Sequence, residues 1–457
     1  MQRRLLGLQR RLSSVLAWGR AAEGQTGCDS ALPHHGLLPP LGFAKGESSA
    51  VSAIACGAHT SGIVLASGGA YTFGSGKALG LKGVAQTSKP LPLSLSPRSP
   101  PVEKMFLGEG TGVALDRETR NPWVWGVGSE GQLGLGGAMG PTGSYHGGAQ
   151  RAFEPSPQRL QGEALLAAAA LRHRTLLLSQ EGLVYVTGSG FQGELGVSGT
   201  SGVVTSPASV VGLPSNDRVT ALCGGLTFTL AATASGRLFF WGVLGHGGAY
   251  GTLSAQQATS LKSLAPLELV LPGREAPLRP LLHLAAGNHC ALVSDGAALW
   301  ALGASWGTGG FEQGVLPRAV PLPWGVRAVT GLAAGPSTVA LVGDEATVWL
   351  AGRLDSPFLL GGEAGPSTAR WLEGALAAGA AGGEPPAPNP DSRAALLEDL
   401  GLGNEIGWKG SFDGDGLVYQ RGQVYSPRLV RVVDEALMSR RVRAVALGAA
   451  HGLVMLD

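Results

Sequence analysis

The chain has 457 residues, 74 of them glycine, about 16% against an ordinary usage of about 7%. Hydrophobic residues stand at 44% and charged residues at 14%, and 34 basic against 32 acidic residues leave a net charge of +2. This balance excludes a disordered chain and a nucleic-acid-binding protein of the strongly basic kind, and the lack of a three-residue glycine period excludes collagen. Length alone suggests about three domains, but closed all-β folds run long as single units. Glycine accepts positive φ without steric cost, so the composition points to many short strands joined by tight turns.

The first element is a leader. Residues 1–14 carry Arg3, Arg4, Arg10 and Arg11, and no acid occurs before Glu23. On a helix Leu5, Leu8 and Leu12 form one stripe, and the arginines lie largely off it. This acid-free, Arg-rich and Ser-containing pattern is that of a mitochondrial transit peptide and predicts a matrix location. A plastid address and a plain basic tail are the alternatives. A secretory signal would need an unbroken apolar stretch, which the Arg pairs interrupt. Because Trp18-Gly19 already belongs to the first repeat, a cleavable leader has only about 14 residues.

From Trp18 onward a repeat runs through the chain. Seven segments end in glycine: LAWG (16–19), YTFG (71–74), WVWG (123–126), YVTG (185–188), FFWG (239–242), WALG (300–303) and WLAG (349–352). Seven small-residue segments interleave with them: 53–65, 105–115, 167–178, 221–232, 283–293, 331–342 and 445–456, each expected to be one strand. Turn signals such as Ser67-Gly68-Gly69 and Ser294-Asp295-Gly296 join the two as a hairpin. A Pro-bearing strand follows, as at 156–160, 206–211 and 426–433. Each unit is thus about four short strands, too small to bury a core alone, and seven of them bury one by closing into a ring. The chain starts on a Trp-Gly strand and ends on a small-residue strand, so the two termini are expected to complete one blade, with Leu456 and Asp457 near Trp18. This removes a free sheet edge.

The residues VWGVGSEGQLGLGG (124–137), with EPSPQRL (154–160) downstream, resemble the repeat of the regulator of chromosome condensation family. WGRAAEGQTG (18–27) and VTGSGFQGELGV (186–197) match it well. Repeats two, five, six and seven are degenerate, and the similarity covers roughly 16–361 and 424–457. The resemblance implies an all-β, seven-bladed β-propeller over residues 15–457. Of the family's His-Thr positions, His173 and His451 fit the spacing, whereas His59 and His289 sit one residue early.

Several patterns imitate chemistry. Gly126, Gly128 and Gly131, and again Gly188, Gly190 and Gly193, satisfy the dinucleotide fingerprint, but they recur in repeat phase with no helical period after them. Phe73-Gly-Ser-Gly-Lys-Ala78 lacks the first glycine of a P-loop. The DGDG run (413–416) has Val424 where a calcium loop needs Glu. Cys28, Cys56, Cys223 and Cys290 are far apart and read as buried free thiols. Val219–Gly236 is uncharged but broken into apolar runs of strand length, so no membrane span is expected. No catalytic, cofactor-binding or metal-ligating residue is assigned, and the expectation is a protein that is not an enzyme and needs no cofactor. Trp18, Trp125, Trp241, Trp300 and Trp349 fall in phase and are expected to pack between blades. Trp123, Trp306, Trp324, Trp371 and Trp408 fall outside it, and an exposed Trp among them would mark a binding spot. The tryptophan motif of the plant ultraviolet-B photoreceptor, which shares the fold, is absent.

The period breaks once, at 363–424, an insertion in the last blade. It holds a Pro-rich loop (383–392) and a short helix candidate (393–403) that Asp391 or Ser392 could cap. Insertions in propellers map to a face, where partners bind. Family members with transit peptides are associated with organellar ribosome assembly, RNA processing or a respiratory complex. The resemblance therefore implies a mitochondrial interaction or assembly factor, or a subunit of a large complex, with protein partners and an indirect association with RNA. The family founder's activity implies the alternative, a guanine-nucleotide exchange factor for a small GTPase.

Overall fold

The glycine that ends each Trp-Gly segment has a backbone that other residues avoid. Gly19, Gly74, Gly126, Gly188, Gly242, Gly303 and Gly352 have φ between +89° and +112°. A Cβ at Gly126 would collide with the carbonyl oxygen of Gly110. The repeat therefore keeps glycine there for both conformation and close approach. A computed structural model describes residues 15–19, 21–28, 51–97, 100–136, 153–197, 202–244, 261–274, 279–303, 316–344, 347–354, 410–412, 417–420, 423–432, 437, 440–449 and 451–457.

The chain opens with β1 (Val15–Gly19). Blade two follows as β2 (Val51–Cys56), β3 (Thr60–Leu65), β4 (Ala70–Ser75) and β5 (Gln86–Pro92). Blade three is β6 (Val102–Leu107), β7 (Thr111–Asp116), β8 (Pro122–Val127) and β9 (Phe153–Arg159). Blade four is β10 (Leu165–Ala170), β11 (Arg174–Ser179), β12 (Val184–Gly190) and β13 (Gly202–Ser209). Blade five is β14 (Val219–Gly224), β15 (Phe228–Thr233), β16 (Leu238–Leu244) and β17 (Leu261–Leu269). Blade six is β18 (His283–Ala286), β19 (Cys290–Ser294), β20 (Leu299–Gly303) and β21 (Arg318–Val320). Blade seven holds β22 (Val329–Ala334), β23 (Thr338–Gly343), β24 (Val348–Leu354), β25 (Gly410–Phe412), β26 (Leu417–Gln420) and β27 (Gln423–Arg431), and β28 (Val442–Leu447) and β29 (His451–Leu456) end the chain.

Blades two to six are antiparallel sheets in sequence order, and blade one is β1-β29-β28. Neighbouring blades touch through their first strands all the way round, with β28 against both β22 and β2. The fold is a seven-bladed β-propeller. β1 and β29 pair antiparallel with Val15 opposite Met455 and Trp18 opposite Gly452. Across the ladder Gly452 faces Trp18, because the two strands run in opposite directions; Leu456, expected near Trp18, shares its core cluster, and Asp457 lies past the end of β29.

A second expectation also changes. Each small-residue segment is two strands rather than one, folded at a tight turn whose first N–H bonds the carbonyl three residues on: Gly57 to Thr60 at 2.7 Å, Gly335 to Thr338 at 2.8 Å. A span of twelve residues is about twice an ordinary strand, and the glycine in its middle is the turn. The turns align His59, His173 and His289 at one place and leave His451 one residue later. The pairing by sequence spacing, which grouped His173 with His451, is thereby corrected.

The core is divided among seven clusters, each between two adjacent blades. One joins Val15 and Ala17 of blade one to Val51 and Ile63 of blade two; another joins Leu16 and Trp18 to Ala340 and Leu350 of blade seven. The second strands β3, β7, β11, β15, β23 and β29 are buried along their whole length. Burying both faces of such a strand contributes about 1.5–3 kcal/mol per large apolar side chain. Trp125 packs on blade two and Trp241 on blade four, while Trp300 packs on blade five. Trp123 joins the Trp125 cluster, because residues two apart on a strand share a face. The charge-free stretch at 219–236 is the β14–β15 hairpin, and no helix among the described residues is long and apolar enough to cross a membrane.

Of the insertion, 410–412 and 417–420 form a hairpin that extends blade seven to six strands, in the order β22-β23-β24-β27-β26-β25. The helix candidate at 393–403, the DGDG run, the leader at 1–14, and Trp306, Trp371 and Trp408 lie outside the described residues.

Candidate functional site

First strands run toward one face of the ring, here the upper face. It carries the tight turns 57–59, 108–110, 171–173, 225–227, 287–289 and 335–337. Third strands also end there, with Val127, Leu244, Gly303 and Leu354 the last residues of β8, β16, β20 and β24. The turns bind one another around the channel rim. Ala449 N donates to Ala58 O at 3.1 Å, Leu226 N to Asn288 O at 2.9 Å, and Asn288 N to Pro336 O at 3.1 Å.

The two best repeats build the same polar cluster on this face. Both read Glu-Gly-Gln after the Trp-Gly strand, which places Glu23 and Glu130 alike. Glu130 Oε1 lies 2.9 Å from His173 Nδ1, and its other oxygen accepts from the Ser189 hydroxyl. Glu23 Oε2 lies 2.9 Å from His59 Nδ1 and accepts from Ser75 Oγ at 2.7 Å. A carboxylate only accepts, so both histidines donate to it. The serine is bonded to the carboxylate and not to the imidazole, which is the wrong order for activating a nucleophile. These clusters tie the segment that follows a third strand to the inner turn of the next blade. Beneath them Thr175 and Thr187 both donate to Gln132 O, at 2.7 and 3.0 Å, and Ser61 donates to Gln25 O at 2.7 Å.

His451 differs from these histidines. It is 3% exposed. Burial, reinforced by His59, pushes its pKa down from the ordinary histidine value to about 3, so it is neutral in the folded protein. Arg174 is also buried, 1% exposed. It donates to Leu226 O at 2.8 Å, Gly225 O at 3.0 Å and Phe228 O at 2.7 Å. Burial lowers its pKa to about 10, which still leaves it charged at neutral pH. Sequence reading gave Arg174 no role; its signal was an arginine standing where the other repeats have Thr, Phe, Cys or His.

The patterns that imitate chemistry resolve structurally. Gly126–Gly131 and Gly188–Gly193 begin within strands whose next partner is antiparallel, β8 with β9 and β12 with β13, and among the described residues no helix follows them. A dinucleotide site needs a parallel strand and a helix N-terminus at that point. No disulfide joins the four cysteines; Cys28, Cys223 and Cys290 are buried, and desolvation pushes the Cys223 thiol up to about 12. Among the described residues no group of three or more His, Cys, Asp or Glu side chains is placed to hold a metal ion.

On the lower face, the second-to-third strand turns of blades two to six sit on the start of the next blade. Arg274 lies there at 5.5 Å over the Trp300 ring and donates to Gly236 O at 2.7 Å. Trp324, one of the out-of-phase tryptophans, is 93% exposed on this face.

A closed ring of seven such blades, each with a Trp-Gly-type third strand, is a seven-bladed β-propeller. Comparison with known proteins agrees. The frog (Xenopus laevis) protein RCC2 homolog is 31% identical over 126 residues, 27% of this chain and 22% of its own length. The mouse regulator of chromosome condensation is 28% identical over 231 residues, 49% of this chain and 48% of its own. A bovine secretion-regulating guanine nucleotide exchange factor is 29% identical over 202 residues, 44% and 40%. The matched stretches span less than half the length of these relatives. Among solved structures, human WBSCR16 superposes with a TM-score of 0.64 at 18% identity, covering 97% of this chain and 99% of that one. Yeast (Saccharomyces cerevisiae) Prp20p gives 0.61 at 14% identity, covering 99% and 94%. No protein-family model matches the chain. The chain thus carries repeats similar to those of RCC1-repeat proteins and shares the fold of these solved structures.

Proposed function

We propose that this propeller is a non-enzymatic mitochondrial interaction protein, an assembly factor or subunit of a large complex such as the mitochondrial ribosome, its RNA-processing machinery or a respiratory complex. The observation that carries the reading is the upper face. There the inner turns of neighbouring blades bond one another in a ring, and the repeat-borne carboxylates Glu23 and Glu130 are held by His59 and His173. Binding residues concentrate on loops held by rigid scaffolds. The Arg-rich, acid-free leader supplies the address.

The second reading is guanine-nucleotide exchange on a small GTPase. It is favoured by the likeness to a bovine protein named as an exchange factor. Affinity purification of the full chain at moderate salt, followed by sizing and mass spectrometry, separates the two. Stoichiometric ribosomal or respiratory subunits support the first. A lone small GTPase released by added nucleotide supports the second. A cytosolic distribution of the C-terminally tagged chain overturns the address.

A further inference from the structure

Blade three departs from its neighbours at the lower mouth of the channel. Its first strand begins Val102-Glu103-Lys104, where those beside it have Val51-Ser52-Ala53 and Leu165-Leu166-Ala167. The turn joining β7 and β8 is longer than its counterparts. Arg120 in that turn has φ +56°, the one positive φ outside glycine among the described residues. Blades two, four, five and six use Gly68, Gly182, Gly236 and Gly296 in the corresponding turns, all at positive φ. The conformation is costly for a residue with a Cβ. It is held by an ion pair from Arg120 to Glu103 Oε1 at 2.8 Å and by Leu165 N, which donates to Arg120 O at 3.0 Å.

These residues border a cleft of about 410 Å³ between the first strands of blades two and three. Ile54, Met105 and Phe106 give it an apolar wall, and Glu103, Lys104 and Arg117 line it with charge. The polar groups are unequally satisfied. Lys104 Nζ donates to Leu166 O at 3.1 Å, which leaves the ammonium further protons to give. Arg117 donates to Ala66 O at 2.9 Å and to Val102 O at 3.4 Å. The second oxygen of Glu103, Oε2, is buried and has no hydrogen-bond partner.

We infer that this cleft binds an apolar N-acylamino acid, free or as the C-terminal residue of a peptide. Its carboxylate meets Lys104 and Arg117, its amide N–H meets Glu103 Oε2, and its side chain packs on Ile54, Met105 and Phe106. Both signs of charge in the cleft enter this assignment. Glu103 is balanced by Arg120, so Lys104 and Arg117 leave the cleft positive and select an anion. An inorganic anion would leave the Glu103 oxygen without a donor, and an unmet buried acceptor is costly. An amide N–H meets it, whereas a free ammonium would add positive charge beside Lys104 and Arg117. The volume lies within the range of small-ligand pockets, about 300–1,000 Å³. The inference rests neither on the mitochondrial address nor on the upper face.

The test is isothermal titration calorimetry of the full chain with N-acetyl-L-leucine and two relatives that each lack one group. N-acetyl-L-leucinamide lacks the carboxylate, and isocaproate lacks the amide. N-acetyl-L-leucine is expected to bind saturably, and each relative about tenfold or more weaker. Lys104→Met keeps the apolar stem; it weakens N-acetyl-L-leucine by about tenfold or more and changes N-acetyl-L-leucinamide little, a split that a merely structural loss would not give. An acetylated peptide of about five residues ending in leucine separates the two sources. Binding at least as tight as that of N-acetyl-L-leucine supports the peptide end, and weaker binding supports the free acid. Absence of saturable binding, equal binding of either relative, or indifference to Lys104→Met overturns the inference. So does displacement of N-acetyl-L-leucine by a lower concentration of inorganic phosphate.

Discussion

The joint between blades four and five and the joints between blades six, seven and one solve one problem in two ways. At Gly287, Gly335, Gly448 and Gly57 the inner turn of one blade meets the backbone of the next so closely that a Cβ would collide: Gly335 with the Gly448 carbonyl, Gly57 with that of Gly108. Where blade four should offer the same glycine, it has Leu171. Its side chain meets Gly224 across the joint, and the guanidinium of Arg174, three residues on, takes over the bonding to the next turn. One joint is backbone on backbone and dry. The other is a charged side chain caged by carbonyls. The difference teaches that the ring tolerates a change of contact chemistry provided that every carbonyl at the rim finds a donor.

The comparison can be broken at several places. Removing 448–457 deletes β29, which pairs with both β1 and β28. It exposes edges in blade one, and cooperative thermal unfolding should disappear from calorimetry altogether. Arg174→Ala takes the guanidinium from the Gly225, Leu226 and Phe228 carbonyls, of which Phe228 O keeps the Gly225 N–H, and leaves a void. It should cost about 3–5 kcal/mol by chemical denaturation, with Arg174→Lys recovering only part, since a single ammonium does not reproduce the planar fork. Gly335→Ala forces backbone apart at a glycine joint and should cost about 3 kcal/mol. A neutral outcome would show that these joints are not close-packed.

The next effect is pH-dependent. His451 is held neutral in the folded ring, while the unfolded chain binds a proton below about 6.5. Unfolding therefore takes up a proton between pH 6.5 and about 3. Stability is full above the unfolded value and falls by about 1.4 kcal/mol per pH unit as the pH drops below it. Denaturation at pH 7 and pH 5 should differ by about 2 kcal/mol from this group, and His451→Leu should remove that difference. The smallest effect sharpens the comparison. Leu171→Gly restores the glycine of the other joints but removes packing against Gly224, and should cost about 1 kcal/mol.

Much of this architecture was legible in the chain. The Trp-Gly segments could be read as third strands because their glycines carry a conformation, positive φ, that other residues pay to adopt. The Pro-bearing segments could be read as outer strands because Pro fits a sheet edge. The division of each small-residue segment into two strands was not legible. Alanine and glycine have weak strand preference, and no polar alternation marks the turn. The alignment of His59 with His173 was hidden for the same reason, since counting from the strand gave the wrong register by one residue. On the lower face, the exposure of Trp324 agrees with its place outside the repeat phase. The cleft bordered by Glu103, Lys104 and Arg117 was not legible, because its walls come from two blades.

By itself the sequence determined seven units, their strand types and the ring they must close, because periodicity and glycine conformation are local properties written residue by residue. The tertiary structure decided what meets across the joints. It set Trp18 opposite Gly452, Arg174 among the carbonyls of blade five, and Ile54 of blade two with Phe106 of blade three in one cleft. Those contacts join residues tens to hundreds of positions apart, and only closure of the ring fixes which of them share a face.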